Sequence, residues 1–377
     1  MRFSCDIFCS VIDNFGDIGV TWRLARQLVA EHELEVRLWV DDLSPFCRLC
    51  PEANDQDAVQ RHHGVALHRW PEAWQPVEAA DMVIEAFACQ LPTAYIESMA
   101  LRAQPSLWLN LEYLSAEPWV EGCHGLPSLQ SKGLHKFFFF PGFTPKTGGL
   151  LRETGLIEQR RRFQQDPAAQ QLFLRDLGVT PRADARLISL FGYENPSLAS
   201  WLDCLALGPQ ASHLLVPEGR IIADLQRWLS IGSLAAGDKK VRGALTVQIL
   251  PFISQDAYDR LLWCCDFNAV RGEDSFVRAQ WAERPFLWQI YPQQDDAHLD
   301  KLDAFLTIYS QGLTPAAAHA LLSLWRAWNV GEPVDTHWPA LLEEWPAINK
   351  HAERWCQQQS SQTNIAATLV QFYLNWL

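Results

Sequence analysis

The polar turn at residues 13–17 carries two carboxylates four residues apart, Asp13 and Asp17. An apolar run at residues 3–8 predicts a buried strand before this turn, and apolar residues at spacing four predict a helix after it. Carboxylates in such a turn suit a cationic or proton-donating substrate, whereas phosphate would require a glycine-rich turn with bare backbone N–H groups. The local pattern also allows a structural interpretation, in which Asp17 caps the helix and Asp13 lies in a solvated turn.

A second polar segment, residues 271–275, lies between a predicted strand and a helix that begins near Phe276. Arg271 and the backbone N–H groups at this helix start could hold a pyrophosphate, while the acidic residues of the segment could bind sugar hydroxyls. The alternative is structural: Asp274 or Ser275 caps the helix, and Arg271 pairs with a nearby acid.

Aromatic residues lie at two further predicted strand ends. Phe191 ends one strand and is followed by Gly192, Tyr193 and Glu194, and Phe252 lies just past the end of another, in the segment 251–255. Two aromatic rings at one sheet edge could sandwich a flat nucleotide base. Burial in the core is the more usual role of aromatic residues at strand ends, so both interpretations stay open.

Several site signatures are missing from the chain. It has no Gly-x-Ser-x-Gly, Gly-x-Gly-x-x-Gly or phosphate-binding Gly-Lys-Ser/Thr sequence, which argues against hydrolase, dinucleotide and P-loop chemistry. The one Asp-x-Asp match, residues 55–57, follows no strand, so we expect no metal. Cys47 and Cys50 have metal or redox spacing, but no second pair completes a zinc site, and His62 and His63 are expected at the surface.

Strands alternate with helices along the chain in two successive series, which predicts parallel sheets covered by helices on both faces. We predict an α/β protein of two Rossmann-like domains facing across a cleft, at residues 1–178 and 179–361, with a C-terminal helix, 362–377, able to pack back on the first domain. The predicted strands are 3–8, 35–40, 81–87, 106–111, 136–140, 187–191, 213–216, 246–250, 266–270 and 286–291.

Composition narrows the class of partner. The chain has 377 residues with 31 Lys and Arg against 44 Asp and Glu, so its formal charge is -13. This balance argues against a nucleic-acid binder and suits a basic patch or a cationic side chain on a partner. No apolar run approaches the ~20 residues of a membrane span, and several of the ten cysteines lie in apolar runs. We therefore expect a reduced, cytoplasmic protein that does not bind membranes.

Two long segments, DIFCSVIDNFGDIGVTWRLARQL at residues 6–28 and RGEDSFVRAQWA at residues 271–282, resemble the bacterial protein-arginine rhamnosyltransferases that modify translation elongation factor P. The resemblance extends over essentially the whole chain and includes Phe-Gly-Tyr at 191–193 and Pro-Phe-Ile-Ser-Gln at 251–255. It implies a GT-B glycosyltransferase that transfers rhamnose from dTDP-β-L-rhamnose to an arginine nitrogen with inversion, without a metal or other cofactor.

The resemblance also implies roles for individual residues. Phe191 and Phe252 would flank the thymine, and Glu273 would support the reacting centre. The residues that would hold the sugar diphosphate are Tyr193, Gln255, Arg271, Asp274 and Ser275. The residues that would face the acceptor guanidinium are Asp13, Asn14, Phe15, Gly16 and Asp17.

Guanidinium chemistry is consistent with these carboxylates. A guanidinium has a pKa above ~12 and is a poor nucleophile while it is protonated. Two carboxylates can orient it and accept its proton as the new bond forms. Our hypothesis assigns Asp17 as the principal base or anchor, with Asp13 assisting, and the opposite assignment also fits the sequence.

Two other functions stay open at the level of sequence. The chain could be a GT-B transferase with a different nucleotide sugar or acceptor. It could also be a non-catalytic module that holds elongation factor P or another basic protein surface, in which case binding would survive loss of Asp13 and Asp17 and no sugar would be transferred.

Overall fold

The computed structural model describes residues 3–11, 15–75, 77–293 and 296–377. The chain divides into two compact units, one of Met1–Thr154 with Gln359–Leu377 and one of Gly155–Gln358. The sequence prediction placed the domain boundary after residue 178 instead. The chain leaves the first unit earlier because the helices at Leu156–Gln164 and Pro167–Asp176 pack on a helix of the second unit, Gln255–Cys264.

Within the described ranges, strands and helices alternate through most of both units. The strands are β1 (Ser4–Cys9), β2 (Glu35–Val40), β3 (Val59–His62), β4 (Val65–Arg69), β5 (Met82–Ala86), β6 (Leu107–Leu111), β7 (Pro127–Leu129), β8 (His135–Phe139), β9 (Arg186–Leu190), β10 (Ser212–Pro217), β11 (Lys239–Arg242), β12 (Leu245–Leu250), β13 (Phe267–Arg271) and β14 (Phe286–Gln289). The helices are α1 (Gly16–His32), α2 (Leu43–Leu49), α3 (Thr93–Ala100), α4 (Val120–Cys123), α5 (Leu156–Gln164), α6 (Pro167–Asp176), α7 (Leu198–Leu207), α8 (Ile222–Leu229), α9 (Gln255–Cys264), α10 (Asp274–Trp281), α11 (Ala297–Tyr309), α12 (Pro315–Val330), α13 (His337–Glu343), α14 (Trp345–Ser360) and α15 (Ile365–Trp376).

The sheet of the first unit has the strand order β3-β4-β2-β1-β5-β6-β8-β7 among the described residues. Its pairs are parallel except for β3 with β4 and β7 with β8, which form antiparallel edges. The chain passes from β1 to β2 on one side and later returns to β5 on the other side of β1. The switch point of this sheet therefore lies between β1 and β5, where open α/β sheets bind ligands at the carboxyl ends of the strands.

Successive side chains of β1 point to opposite faces of the sheet, so β1 contributes to both hydrophobic clusters of the first unit. Ile7 faces a cluster that includes Leu24 of α1 and Leu369 of α15, whereas Phe8 faces a second cluster that includes Trp39 and Trp108. All six side chains are at most 5% exposed, so the sheet is covered on both faces, as a parallel sheet requires.

The C-terminal helix returns to the first unit. Tyr373 of α15 stacks on Phe3 with ring centroids 4.0 Å apart. Gly149 allows this approach, because a Cβ at its φ of +76° would lie 2.3 Å from the carbonyl oxygen of Thr363. Asn364 then caps α15, accepting a hydrogen bond from the backbone N–H of Ala367 at 2.9 Å.

Among the described residues, the sheet of the second unit has the order β11-β12-β10-β9-β13-β14. Only the edge strand β11 is antiparallel to its neighbour. The central β9 pairs with β10 on one side and β13 on the other. Its switch point therefore lies between β9 and β13. Both units thus repeat one plan, in which the first strand lies at the centre and the connections diverge from it.

The sequence of the charged stretch at residues 152–177 predicts a helix whose arginines 160–162 form a solvated or interdomain face. The stretch forms two helices instead, because Asp166 caps α6 and Pro167 begins it. The predicted role of the arginines is wrong for Arg160. The Arg160 guanidinium is fully buried and pairs with Glu283 at 2.7 Å, inside the second unit. Arg161 and Arg162, by contrast, are exposed.

The part of the second unit that follows β14 is helical and rich in aromatic residues. Trp201 of α7 contacts Trp328 of α12 and Trp338 of α13, with centroids 5.4 Å apart in each case. A helix was predicted at residues 197–205, where α7 lies, and none was predicted for α12 and α13. Across the described ranges, none of the helices has the length and apolar character needed to span a bilayer.

Candidate active site

Asp17 lies at the switch point of the first sheet, in the first turn of α1. Its side chain is only 4% exposed. The residue at the cap position is Phe15, so the interpretation of Asp17 as the helix cap is wrong. A carboxylate in the first turn is favoured by the helix dipole, which helps to keep this buried group ionised. Asp13 and Asn14 lie outside the described residues.

Two aromatic side chains from neighbouring strand ends surround Asp17. Tyr113, just past β6, donates a hydrogen bond from its hydroxyl to Asp17 Oδ1 at 3.4 Å. Its ring stacks on Phe87, just past β5, with centroids 4.6 Å apart. Phe87 and Ala88 both have φ near +56°, a left-handed conformation that costs free energy in residues with a Cβ. The strained backbone therefore holds an aromatic wall beside the carboxylate.

Asp41 fixes the start of the loop that leads to Asp17. It follows β2, and its carboxylate accepts hydrogen bonds from the Ser10 hydroxyl and from the backbone N–H of Val11, the latter at 2.9 Å. Because β2 is adjacent to β1, the two strand ends are tied together at the sheet edge. Asp41 therefore holds the start of the loop that contains the predicted acceptor residues, although it is not one of them.

The cysteines near this edge are not nucleophiles. Burial raises the pKa of Cys9 well above its usual value, and the nearby Asp17 charge raises it further. Burial likewise raises the pKa of Cys89 to about 12, and its thiol donates to the Phe8 carbonyl. Both groups stay protonated at neutral pH, which makes them poor nucleophiles.

Arg271 lies at the switch point of the second sheet, at the end of β13. Its guanidinium carbon is 4.6 Å from the ring centroid of Phe191 and 4.4 Å from that of Tyr193, which follow the adjacent strand β9. The residue is only 7% exposed. Cation–π contacts on two sides hold the plane of this guanidinium in place.

One nitrogen of this guanidinium, Nη1, is buried and has no hydrogen-bond partner among the described residues. A buried ionic donor without an acceptor is destabilising by several kcal/mol unless a ligand supplies one. The alternative of a simple pair between Arg271 and a nearby acid does not account for this nitrogen. The geometry is that of a preformed site for an anion.

The start of α10 lies beside Arg271. Gly272 has a φ of +64°, and its carbonyl accepts a hydrogen bond from Trp288 Nε1 at 2.8 Å. The cap position is held by Glu273, which makes no side-chain cap bond, and the Ser275 hydroxyl donates backwards to the Arg271 carbonyl. Neither Asp274 nor Ser275 is the cap residue, contrary to the structural interpretation, and the helix start remains a suitable anion site.

Two glutamines organise the polar groups at this edge. Gln289, at the end of β14, accepts a hydrogen bond from the Tyr193 backbone N–H at 2.9 Å. Gln255, the first residue of α9, donates to Asp274 at 3.4 Å. Gln255 was predicted from the sequence and Gln289 was not, although it is a polar residue at the end of a predicted strand.

Phe252 follows β12 and is half-buried, at the same sheet edge as Phe191 but two strands away. The predicted donor residues therefore all lie at the carboxyl edge of one sheet. An additional residue there, Arg220, lies 5.6 Å from the Tyr193 ring centroid and pairs with Glu194 at 2.9 Å. Burial raises the pKa of Glu194, but the hydrogen bonds from Arg220 and the backbone, together with the charges of Arg220 and Arg271, outweigh this effect and the net shift is downward.

A buried ion pair fixes the two helices that bear this edge. Arg278 of α10 donates to both carboxylate oxygens of Asp259 in α9, at 2.8 and 2.5 Å, and both residues are at most 4% exposed. Removal of one partner of such a bidentate pair would leave the other charge buried and alone. The pair therefore fixes the position of the start of α9, with Gln255, relative to the start of α10, with Asp274.

Comparison with known proteins identifies relatives over the whole chain. The family model described as elongation factor P (EF-P) rhamnosyltransferase EarP matches residues 5–374. The chain is 61% identical over its full length to a protein-arginine rhamnosyltransferase of Pseudomonas putida, all of which is covered. It is 58% identical to the Pseudomonas aeruginosa protein of the same name, with 99% of this chain and 100% of the relative covered.

Solved structures agree on the fold. A chain from a structure of EarP-mediated arginine glycosylation of elongation factor EF-P is 47% identical, with a TM-score of 0.74 and full coverage of both chains. A Rickettsia africae glycosyltransferase is similar in fold alone, at 9% identity and a TM-score of 0.57, with 99% of this chain and 98% of that chain covered. The architecture is therefore the predicted GT-B glycosyltransferase fold.

Proposed function

The chain belongs to the EF-P rhamnosyltransferase family, and we propose that it transfers L-rhamnose from dTDP-β-L-rhamnose to an arginine side-chain nitrogen of elongation factor P. We further propose that the transfer inverts the anomeric carbon and requires no metal. An acceptor that serves translation would locate this reaction in the cytoplasm.

The observation that carries the proposal is the buried guanidinium of Arg271, held between two aromatic rings with Nη1 unpartnered among the described residues. A diphosphate oxygen would supply the missing acceptor. Together with the start of α10, Arg271 would offset the charge that develops on the departing dTDP, which is the task a metal performs in other transferases. The remaining donor contacts are assigned to Phe191, Tyr193, Phe252, Gln255, Asp274 and Ser275.

For the acceptor half, we assign Asp17 as the group that binds the target guanidinium and takes its proton. A buried carboxylate forms strong, charge-assisted hydrogen bonds with an arginine, and its low exposure excludes competing water. Tyr113 donates to Asp17 and so fixes its orientation. Asp13, Asn14, Phe15 and Gly16 complete the proposed acceptor loop.

An Nη of the acceptor forms a bond to C1 of rhamnose from the face opposite the leaving group, and the bond from C1 to the β-phosphate oxygen breaks. The phosphate oxygen keeps the bond's electron pair, and one proton passes from the acceptor nitrogen to Asp17. The product is again a guanidinium cation. Glu273 would stabilise the oxocarbenium-like transition state.

Intact-mass spectrometry tests this proposal. Elongation factor P would be incubated with dTDP-L-rhamnose and EDTA, in parallel with the wild-type protein and with Asp17→Asn. We expect a deoxyhexose mass gain that maps to one arginine and is lost with Asp17→Asn. Asp42→Asn is the matched control, because Asp42 is an exposed helix cap that lies outside the proposed acceptor loop.

Other outcomes would redirect the assignment. A mass gain with a different nucleotide sugar alone would contradict the donor, and thermal stabilisation by UDP in preference to dTDP would do the same. Binding of the factor without any transfer, unaffected by Asp17→Asn, would indicate a non-catalytic module. Transfer that disappears in EDTA and returns with a divalent metal would contradict the metal-free mechanism.

A further inference from the structure

Three side chains with different ligand atoms meet in the first unit, away from the proposed active site. The Cys50 thiol, a Glu52 carboxylate oxygen and a His63 ring nitrogen all lie within 4.8 Å of one another. No other group of metal-ligand type and spacing occurs among the described residues. This group includes one member of the Cys47–Cys50 spacing noted in the sequence, but its partners are Glu52 and His63.

The fold brings these residues together from two elements. Cys50 ends α2 at the cap position, with Glu52 two residues later. His63 lies in the two-residue turn between the antiparallel strands β3 and β4, at the amino end of β4. Asp17, by contrast, lies at the carboxyl end of β1, so the cluster and the acceptor carboxylate occupy opposite edges of the same sheet.

The turn fixes the position of the histidine. His63 and Gly64 both have positive φ, +49° and +82°, as a type I′ hairpin turn requires. The His63 ring meets Trp22 of α1 edge to face at 5.8 Å. The hairpin thus holds an imidazole near the end of α2 rather than letting it move freely in solvent.

The donor set matches a borderline metal ion. Thiolate sulfur, imidazole nitrogen and carboxylate oxygen are the three ligand types that Zn²⁺ accepts, with bonds of about 2.0–2.3 Å. Such bonds place ligand atoms roughly 3.5 Å apart in a tetrahedron. Glu52 and His63 are exposed, so small rotations of their side chains close the site around an ion, and water can take the fourth position.

Two of the three side chains are already in direct contact. The Cys50 thiol donates to Glu52 Oε2 at 3.4 Å. A metal ion bound by both groups would take the place of this hydrogen bond.

We propose that Cys50, Glu52 and His63 form a Zn²⁺ site, separate from the transfer chemistry, that joins the end of α2 to the β3–β4 hairpin. β3 is an edge strand, and its four residues are exposed or half-buried. Few apolar contacts therefore hold β3, whereas β4 is anchored by the buried Val65 and Leu67. A metal clip between the β3–β4 turn and α2 would stabilise the folded state by its binding free energy.

Cobalt absorption and thermal unfolding test this site on the full chain, and neither depends on transferase activity. We expect Co²⁺ to give a thiolate charge-transfer band at one equivalent and Zn²⁺ to displace it. We also expect Zn²⁺ to raise the melting temperature. Cys50→Ala should abolish the band, and Glu52→Gln should weaken binding at least tenfold.

Matched variants keep the result interpretable. His63→Asn suits the left-handed turn, because Asn adopts this conformation readily, and it should also weaken binding at least tenfold while the protein stays folded. Cys47→Ala removes the neighbouring thiol, one helical turn earlier, and should bind as the wild type does. Absence of a band in the wild type, or a band that survives Cys50→Ala or His63→Asn, would overturn the proposal.

Discussion

At the switch point of the first sheet the buried ionisable group is a carboxylate, Asp17, whereas at that of the second sheet it is a guanidinium, Arg271. Both groups are at most 7% exposed. Asp17 lies beside Tyr113, which follows β6, and Arg271 lies beside Phe191, which follows the adjacent strand β9. The two units thus place opposite charges at the switch point of one topology, after the central strand β1 in the first unit and at the end of β13, beside the central strand β9, in the second. The difference indicates that fold determines where a ligand binds, while the side chain placed there determines which ligand it is.

The two sites also differ in how their charges are satisfied. Asp17 has a hydrogen-bond donor in Tyr113 and lies in the first turn of a helix. Arg271 has ring faces on two sides and an unpartnered Nη1 among the described residues. A carboxylate that must accept a proton benefits from support in both of its states. A cation that only neutralises a diphosphate needs its donors kept available.

The largest effect is expected at the carboxylate. Asp17→Asn retains shape and hydrogen-bonding capacity but cannot accept a proton, so kcat should fall by about 10²- to 10⁴-fold, the usual contribution of a general base. The KM for the nucleotide sugar should change little, because the donor is assigned to the other unit. Steady-state kinetics at saturating elongation factor P would measure both constants.

If kcat stays within threefold of the wild type, Asp17 is not the base, and the assignment would move to Asp13. Circular dichroism and the melting temperature of Asp17→Asn would establish that the variant is folded.

Replacement of Arg271 should weaken ligand binding strongly and change the stability of the protein little. Arg271→Met removes the charge-assisted bonds to the diphosphate, and dTDP should bind about 10- to 100-fold more weakly. The free energy of unfolding without ligand should change by less than about 1 kcal/mol, because the lost cation–π contacts are offset by removal of an unsatisfied buried cation. Urea unfolding with and without dTDP would measure both quantities.

Arg326→Gln is the control for the loss of a positive charge, since Arg326 forms an exposed pair with Asp303. It should leave dTDP binding unchanged. A loss of several kcal/mol of stability in Arg271→Met, with dTDP affinity intact, would show that Arg271 is a structural core residue rather than a donor-binding residue.

A smaller effect is expected from Asp41, which positions the start of the acceptor loop. Asp41→Ala removes the acceptor that holds Ser10 and Val11, so the acceptor loop should sample more conformations. We expect kcat to fall about three- to tenfold with the donor KM unchanged, measured by the same kinetics. An equal effect of Asp42→Ala, which removes only the cap of α2, would assign the loss to the helix instead.

Ten of the fourteen strands in the described ranges could be predicted from the sequence, but the internal strand β4 was not among them. The predicted and observed limits of β2 coincide, and those of β13 differ by one residue at each end. The edge strands β3, β7 and β11 were not predicted. β11 consists of Lys-Lys-Val-Arg, all exposed, so no apolar alternation signals it.

The residues of the candidate site also divide into those that the sequence indicated and those that it did not. Asp17 and Arg271 were found because polar residues at strand-to-helix turns are visible along the chain. Tyr113, Asp41 and Gln289 were missed as partners, since each meets the site only through the order of strands in the sheet. Local sequence does not contain that order, and a single polar residue after a strand is common.

The smallest expected effect concerns stability and pH in the second sheet. His213, 2% exposed in β10, lies 3.1 Å from Gln248 Oε1. Burial, with the nearby Lys239 charge, lowers its pKa to about 4, below the ~6.5 of an unfolded histidine. The unfolded chain therefore binds the extra proton first, and stability is lost as pH falls from about 6.5 towards 4, by at most about 1.4 kcal/mol per pH unit for this group. His213→Gln keeps a donor for Gln248 but cannot titrate, so its free energy of unfolding in urea should fall less than the wild type's between pH 7 and 5. Parallel pH profiles for the two proteins would show that His213 is not the titrating group.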